Sequence, residues 1–155
     1  MWNKNKSIGL SIAVSFIFLG LLTIGLFFGP FVVNLWFKIY RGFDPNLSAM
    51  KHLLTIFVCA FYPCAVFGYI TLYSLIRLLF NIKKQEIFIS RNVTYLRTIS
   101  WCCFAVSLIT IIAGVFYIPY CFISMAAAFI GLMLRVVKNV MQNAVEIKTE
   151  NELTI

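Results

Sequence analysis

Residues 7–37 read SIGLSIAVSFIFLGLLTIGLFFGPFVVNLWF, a run without a single charged side chain. A helix crosses the hydrocarbon core of a bilayer with about 20 apolar residues, whereas the apolar part of a secretory signal covers about 7–15. The run is too long for a signal and no small-residue cleavage pattern interrupts it, so residues 8–28 read as a retained membrane span. Gly29-Pro30 comes next. Proline removes a backbone donor and bends or ends a helix, so FVVNLWFKIY is expected to form an interfacial extension with Trp36 and Tyr40 at headgroup depth. Gly25 and Gly29 make a GxxxG pair of the kind that lets a second helix approach closely.

Three further apolar blocks follow, over 53–75, 99–118 and 120–137. The second contains Pro63, which membrane helices tolerate when neighbours satisfy the freed carbonyl. Asp44-Pro45-Asn46 marks a turn in the first loop. Asn46-Leu47-Ser48 matches a glycosylation sequon but reads as a chance match beside the membrane. Ser90 suits the N-cap of a helix that leads into the third span. Tyr117-Ile118-Pro119-Tyr120 predicts a tight hairpin between the third and fourth spans. Ala126, Ala127, Ala128 and Gly131 allow close backbone approach, which predicts a central position for the fourth helix. The fold class expected is all-α, an integral membrane four-helix bundle forming one domain, with the last helix extended beyond the membrane and residues 138–155 as a tail.

Composition agrees with that class. Of 155 residues 62% are hydrophobic and 12% charged, against about 45–50% and about 25% in soluble domains. The net charge of +8 comes from Lys and Arg placed beside the apolar blocks, where they set topology and meet anionic headgroups. Direct nucleic-acid binding is therefore not expected, and the lipid bilayer is the first partner. Ten basic residues (Lys4, Lys6, Arg77, Lys83, Lys84, Arg91, Arg97, Arg135, Lys138 and Lys148) fall on one side, and Lys38, Arg41 and Lys51 on the other. The positive-inside rule then puts both termini and the middle connection in the cytosol of a multi-pass cell-membrane protein, expected to be bacterial.

Catalysis and pumping lack their usual groups. No ionisable residue lies within 8–37, 53–76 or 99–134, cysteines and tyrosines aside, whereas ion and proton pathways depend on such residues at membrane depth. Ser107 and Ser124 have no His, Lys or Asp in the spans to activate them. The lone His52 and the five cysteines Cys59, Cys64, Cys102, Cys103 and Cys121 show no zinc-ligand spacing. No catalytic, cofactor-binding or metal-binding residue is expected.

The informative parts lie outside the spans. Val137, Val140, Met141, Ala144 and Val145 fall at i, i+3, i+4, i+7 and i+8, one face of a helix. Beyond Gln142 the tail carries Glu146, Glu150 and Glu152 against Lys148. That charge disfavours an anionic lipid surface. The middle connection is basic and offers Ile87, Phe88, Ile89, Val93 and Leu96. Tail and connection are thus expected to pack on each other, to dock a cytosolic protein, or to exchange one contact for the other. Leu153-Thr154-Ile155 is short, β-prone and suited to pairing with an edge strand. Candidate docking residues are Val137, Val140, Met141, Ala144, Val145, Phe88, Val93, Leu96, Arg97, Leu153 and Ile155.

The segments NIKKQEIFISRNVTYLRTI and LRVVKNVMQNAVEIKTENELTI resemble the domain-of-unknown-function family numbered 2975, small bacterial four-span membrane proteins. The resemblance extends over nearly the whole chain. It rests on Asn81-Ile82, Phe88, Asn92-Val93, Leu96-Arg97, Glu146-Ile147-Lys148 and the Leu153-Thr154-Ile155 ending. Ile87 stands where the family often has proline, and Arg91 where an acidic residue is common. The resemblance implies companionship with small helix-turn-helix regulators and no enzymatic activity. The leading expectation is a membrane anchor or controller of such a regulator. The alternatives are a small transport or immunity protein acting within the bilayer, and an accessory scaffold of a membrane complex. A second copy of the chain is a further admissible partner.

Overall fold

The computed structural model describes residues 4–41 and 48–153, except for the side chains of residues 4, 5, 36–38, 40, 41, 48–51, 53, 152 and 153. The Asp44-Pro45-Asn46 turn, Asn46 and Leu47 of the sequon, Thr154, Ile155, and the side chains of Trp36 and Tyr40 lie outside what is described. Four helices account for the fold: α1 Lys4–Arg41, α2 Ser48–Lys83, α3 Ser90–Gly114 and α4 Pro119–Leu153. There is no strand among the described residues. Each helix contains a stretch long and apolar enough to cross a membrane. The 38 residues of α1 measure about 57 Å at 1.5 Å per residue, against a hydrocarbon core of about 30 Å. Large apolar side chains such as Phe27, Val115, Phe122 and Met125 face outward, the arrangement a hydrocarbon solvent favours because it leaves only backbone polarity to be satisfied internally.

Packing follows chain order. α1 packs on α2, α2 on α3 and α3 on α4, and among the described residues no other pair of helices comes backbone to backbone. The central position expected for α4 is therefore corrected: among the described residues, α3 is the one helix whose backbone it approaches. Its small residues serve one tight seam, in which a β-carbon on Gly131 would lie 3.3 Å from Cys103 Cβ and 3.4 Å from Phe104 Cε1. Within the same seam Ser100 Oγ donates to the Gly131 carbonyl at 2.8 Å. Ser124 Oγ donates to the Ser107 carbonyl at 2.9 Å, and the Ser107 and Ser124 hydroxyls lie 3.0 Å apart. These bonds set α3 and α4 antiparallel with Ser100 level with Gly131.

Three local expectations change. α1 does not end at Pro30 but runs on to Arg41. The carbonyl that Pro30 leaves without a donor is that of Leu26, and Tyr62 Oη of α2 donates to it at 3.4 Å, so a neighbouring helix satisfies the freed group. Gly25 and Gly29 admit the Phe61 ring rather than a helix backbone, with a Gly29 β-carbon falling 3.4 Å from Phe61 Cε1. The hairpin is two residues earlier than expected: α3 ends at Gly114, residues 115–118 make the turn, and Pro119 opens α4. Proline suits that first position, where its missing N–H has no intrahelical partner to lose.

Candidate functional site

The connection between α2 and α3 is built from two devices. The first closes α2. Gln85 has φ 67°, and its N–H donates to the Ile82 carbonyl at 3.1 Å while the Glu86 N–H donates to the Asn81 carbonyl at 3.0 Å. This pairing is a Schellman C-cap, with a left-handed residue where glycine is usual. The second device is Asn92, 0% exposed. Its Nδ2 donates to the carbonyls of Glu86 and Ile87, both at 2.8 Å, and its Oδ1 accepts from Asn81 Nδ2 at 2.7 Å. One amide thereby joins the end of α2, the connection and the start of α3. Ser90 is the first residue of α3 rather than its N-cap; Ile89 holds that place in extended backbone and no side chain caps it. The orientation of the helix start comes instead from Asn92 reaching back.

At the same end of the molecule α4 outruns its partner. Ser100 level with Gly131 puts Ser90 level with Met141, so residues 142–153 continue past the start of α3 for about 18 Å. Gln142 Nε2 donates to Glu146 Oε1 at 3.1 Å and Thr149 Oγ1 to the Val145 carbonyl at 2.9 Å, both within the helix.

The expected stripe divides on this geometry. Val137 and Val140 are exposed, Val140 to 65%, while Met141, Ala144 and Val145 are half-buried. Ile147, one helical repeat of seven beyond Val140, is exposed to 59% and joins the outward face. In the connection Phe88 is half exposed at 48%, but Val93 and Leu96 are buried. They hold α3 in its packing and present no surface. Arg97 is exposed and lines a cavity with Arg135 and Lys138 across the α3–α4 seam. Leu153 ends α4 as helix, against the extended conformation expected of it, and Ile155 lies outside the described residues. The structure thus brings Val137, Val140 and Ile147 onto one outward face and removes Val93 and Leu96 from it. Asn81 and Asn92 are among the residues that carry the family resemblance, but nothing in their spacing signals a buried amide. Ile147 was within reach of the i+7 rule.

A family model described as a protein of unknown function, DUF2975, matches residues 42–155. The chain belongs to the DUF2975 family. The match takes in α2, α3, α4, the clamp and the tail, and leaves α1 outside, so it is narrower than the near-complete resemblance expected from the sequence. The uncharacterized membrane protein YoaS of Bacillus subtilis (strain 168) is similar to this DUF2975 chain, 29% identical over 167 residues that take in 99% of each protein. No solved structure matches. This member of DUF2975 is a multi-pass protein of the cell membrane, with four helices able to span it.

Proposed function

We propose that the chain is a non-catalytic membrane anchor that docks a small helix-turn-helix regulator on the α4 extension and the α2–α3 connection. The observation that carries the reading is the projection of α4 past α3 with Val140 and Ile147 exposed on one side. An apolar helical face with regular anchors is a recurrent recognition element. The extension also carries Glu146 and Glu150, and a DNA-binding partner presents the basic surface that such a face would meet. Occupying that surface would compete with DNA, so anchoring would also sequester. The ten-to-three distribution of basic residues supports a cytosolic placement of tail, connection and both termini.

Co-purification of the full-length protein with a small helix-turn-helix protein encoded beside it tests the reading. Val140→Asp with Ile147→Asp should abolish recovery of the regulator while leaving membrane insertion intact. Undiminished recovery would remove the α4 extension from the mechanism. The rival, activity within the bilayer, predicts instead that deletion after Asn143 leaves the phenotype unchanged and that bulky replacements at Gly131 or Ala127 abolish it.

A further inference from the structure

Arg97, Ser100 and Trp101 sit at i, i+3 and i+4 of α3 and so share a face. Arg135 and Lys138, at i and i+3 of α4, meet that face, and the five residues line one open cavity of about 80 Å³. Three of the five carry a positive charge. α3 contains no acidic residue, and α4 has none before Glu146, which lies two turns beyond Lys138. The three charges therefore converge with no carboxylate of either helix among them, a gathering that an anion relieves.

Arg135 is also held in place. The guanidinium carbon of Arg135 lies 5.4 Å from the Trp101 ring centroid and 6.0 Å from that of Phe104, within the range at which an aromatic face attracts a cation. Ser100 is buried and commits its proton to the Gly131 carbonyl. It forms the floor, and the charged donors left for an anion are the two guanidinium groups and the ammonium, beside the Trp101 indole N–H. Guanidinium groups match phosphate oxygens two at a time, and an ammonium adds a point charge.

Depth narrows the ligand. From the hairpin at 115–118, Arg135 is about 24 Å along α4 and Arg97 about 26 Å along α3 at 1.5 Å per residue. With the hairpin at one edge of a core of about 30 Å, the backbone of the cluster falls about 5 Å short of the opposite boundary, a gap that the long Arg and Lys side chains span toward the lipid phosphates. Trp101, 59% exposed, is a residue type that favours that boundary.

We propose that this seam binds a phosphate-bearing anion, either the headgroup of an anionic phospholipid or free phosphate. The site stands apart from the docking face: it lies on α3 and the membrane-proximal part of α4, and it requires no particular sidedness of the protein.

The test uses the full chain with Trp2→Phe and Trp36→Phe, so that Trp101 alone emits, in phosphatidylcholine nanodiscs made with a tryptophan-free scaffold protein and containing a minor fraction of phosphatidylglycerol. Quenching of Trp101 by phosphatidylglycerol with brominated acyl chains is compared with quenching by brominated phosphatidylcholine. For a lipid headgroup, the association constant for phosphatidylglycerol exceeds that for phosphatidylcholine, and each cation removed lowers the ratio roughly fivefold. Arg97→Gln with Lys138→Gln then lowers it roughly 25-fold and leaves only the share of Arg135, whereas Lys83→Gln with Lys84→Gln, in the neighbouring connection, leaves it unchanged. For free phosphate, the two lipids quench alike, and inorganic phosphate shifts Trp101 emission saturably in the parent and not in Arg97→Gln/Lys138→Gln. Size-exclusion elution matched to the parent establishes that the double variant is folded. Absence of both responses in the parent, or either response undiminished in Arg97→Gln/Lys138→Gln, overturns the site.

Discussion

Replacing Asn92 by alanine should open the α2–α3 connection without unfolding the spans. The side chain makes three hydrogen bonds of 2.7–2.8 Å, two given to the Glu86 and Ile87 carbonyls and one accepted from Asn81. At about 1 kcal/mol net for each, their loss destabilises the closed connection by about 3 kcal/mol. Its open population then rises by roughly two orders of magnitude, since 1.4 kcal/mol is a factor of ten. Hydrogen exchange read by mass spectrometry reports this directly, because the amides of Gln85, Glu86 and Asn92 donate to the carbonyls of Ile82, Asn81 and Ile89. Asn81→Ala removes one of the three bonds and should accelerate the same amides only about fivefold. Equal effects of the two substitutions, or an acceleration in Asn92→Ala below about fivefold, would refute the clamp as the element that holds the connection shut.

Gln85→Gly should slow exchange in the same segment, because glycine adopts the left-handed backbone at φ 67° without the β-carbon penalty and gains about 0.5–1 kcal/mol; Gln85→Val should hasten it. Gly114→Ala would put a β-carbon 2.6 Å from Cys121 Sγ and 3.2 Å from the Cys121 backbone nitrogen. The α3–α4 hairpin should lose about 1–3 kcal/mol, seen as a lower unfolding midpoint in detergent. Adding Cys121→Ala should recover only part, since the backbone nitrogen remains. With the five native cysteines, of which Cys59 and Cys121 are exposed, replaced by alanine, Glu150→Cys should react with an impermeant maleimide in inverted vesicles only. Labelling in intact cells would reverse the orientation and with it the docking reading.

Residue order by itself determined the class of this protein, its four spans and the apolar exterior. A hydrocarbon solvent imposes those features locally: each span must be helical and outwardly apolar whatever its neighbours do. The apolar stripe of α4 was legible for the same reason, being a property of one helix, although only packing showed that Met141, Ala144 and Val145 turn inward while Val137 and Val140 remain outside. Tertiary structure alone decided the pairings between helices. Pro30 could be read as a break because the hydroxyl that answers the Leu26 carbonyl comes from Tyr62, on another helix. Asn92 reads as an ordinary polar residue of a basic loop until Asn81 and the Glu86 and Ile87 carbonyls surround it. Arg97, Arg135 and Lys138 become a cluster only because a seam of serine and glycine sets α3 and α4 in one register. Such contacts join residues far apart in the chain, and no periodicity along either helix encodes which side chain will stand opposite.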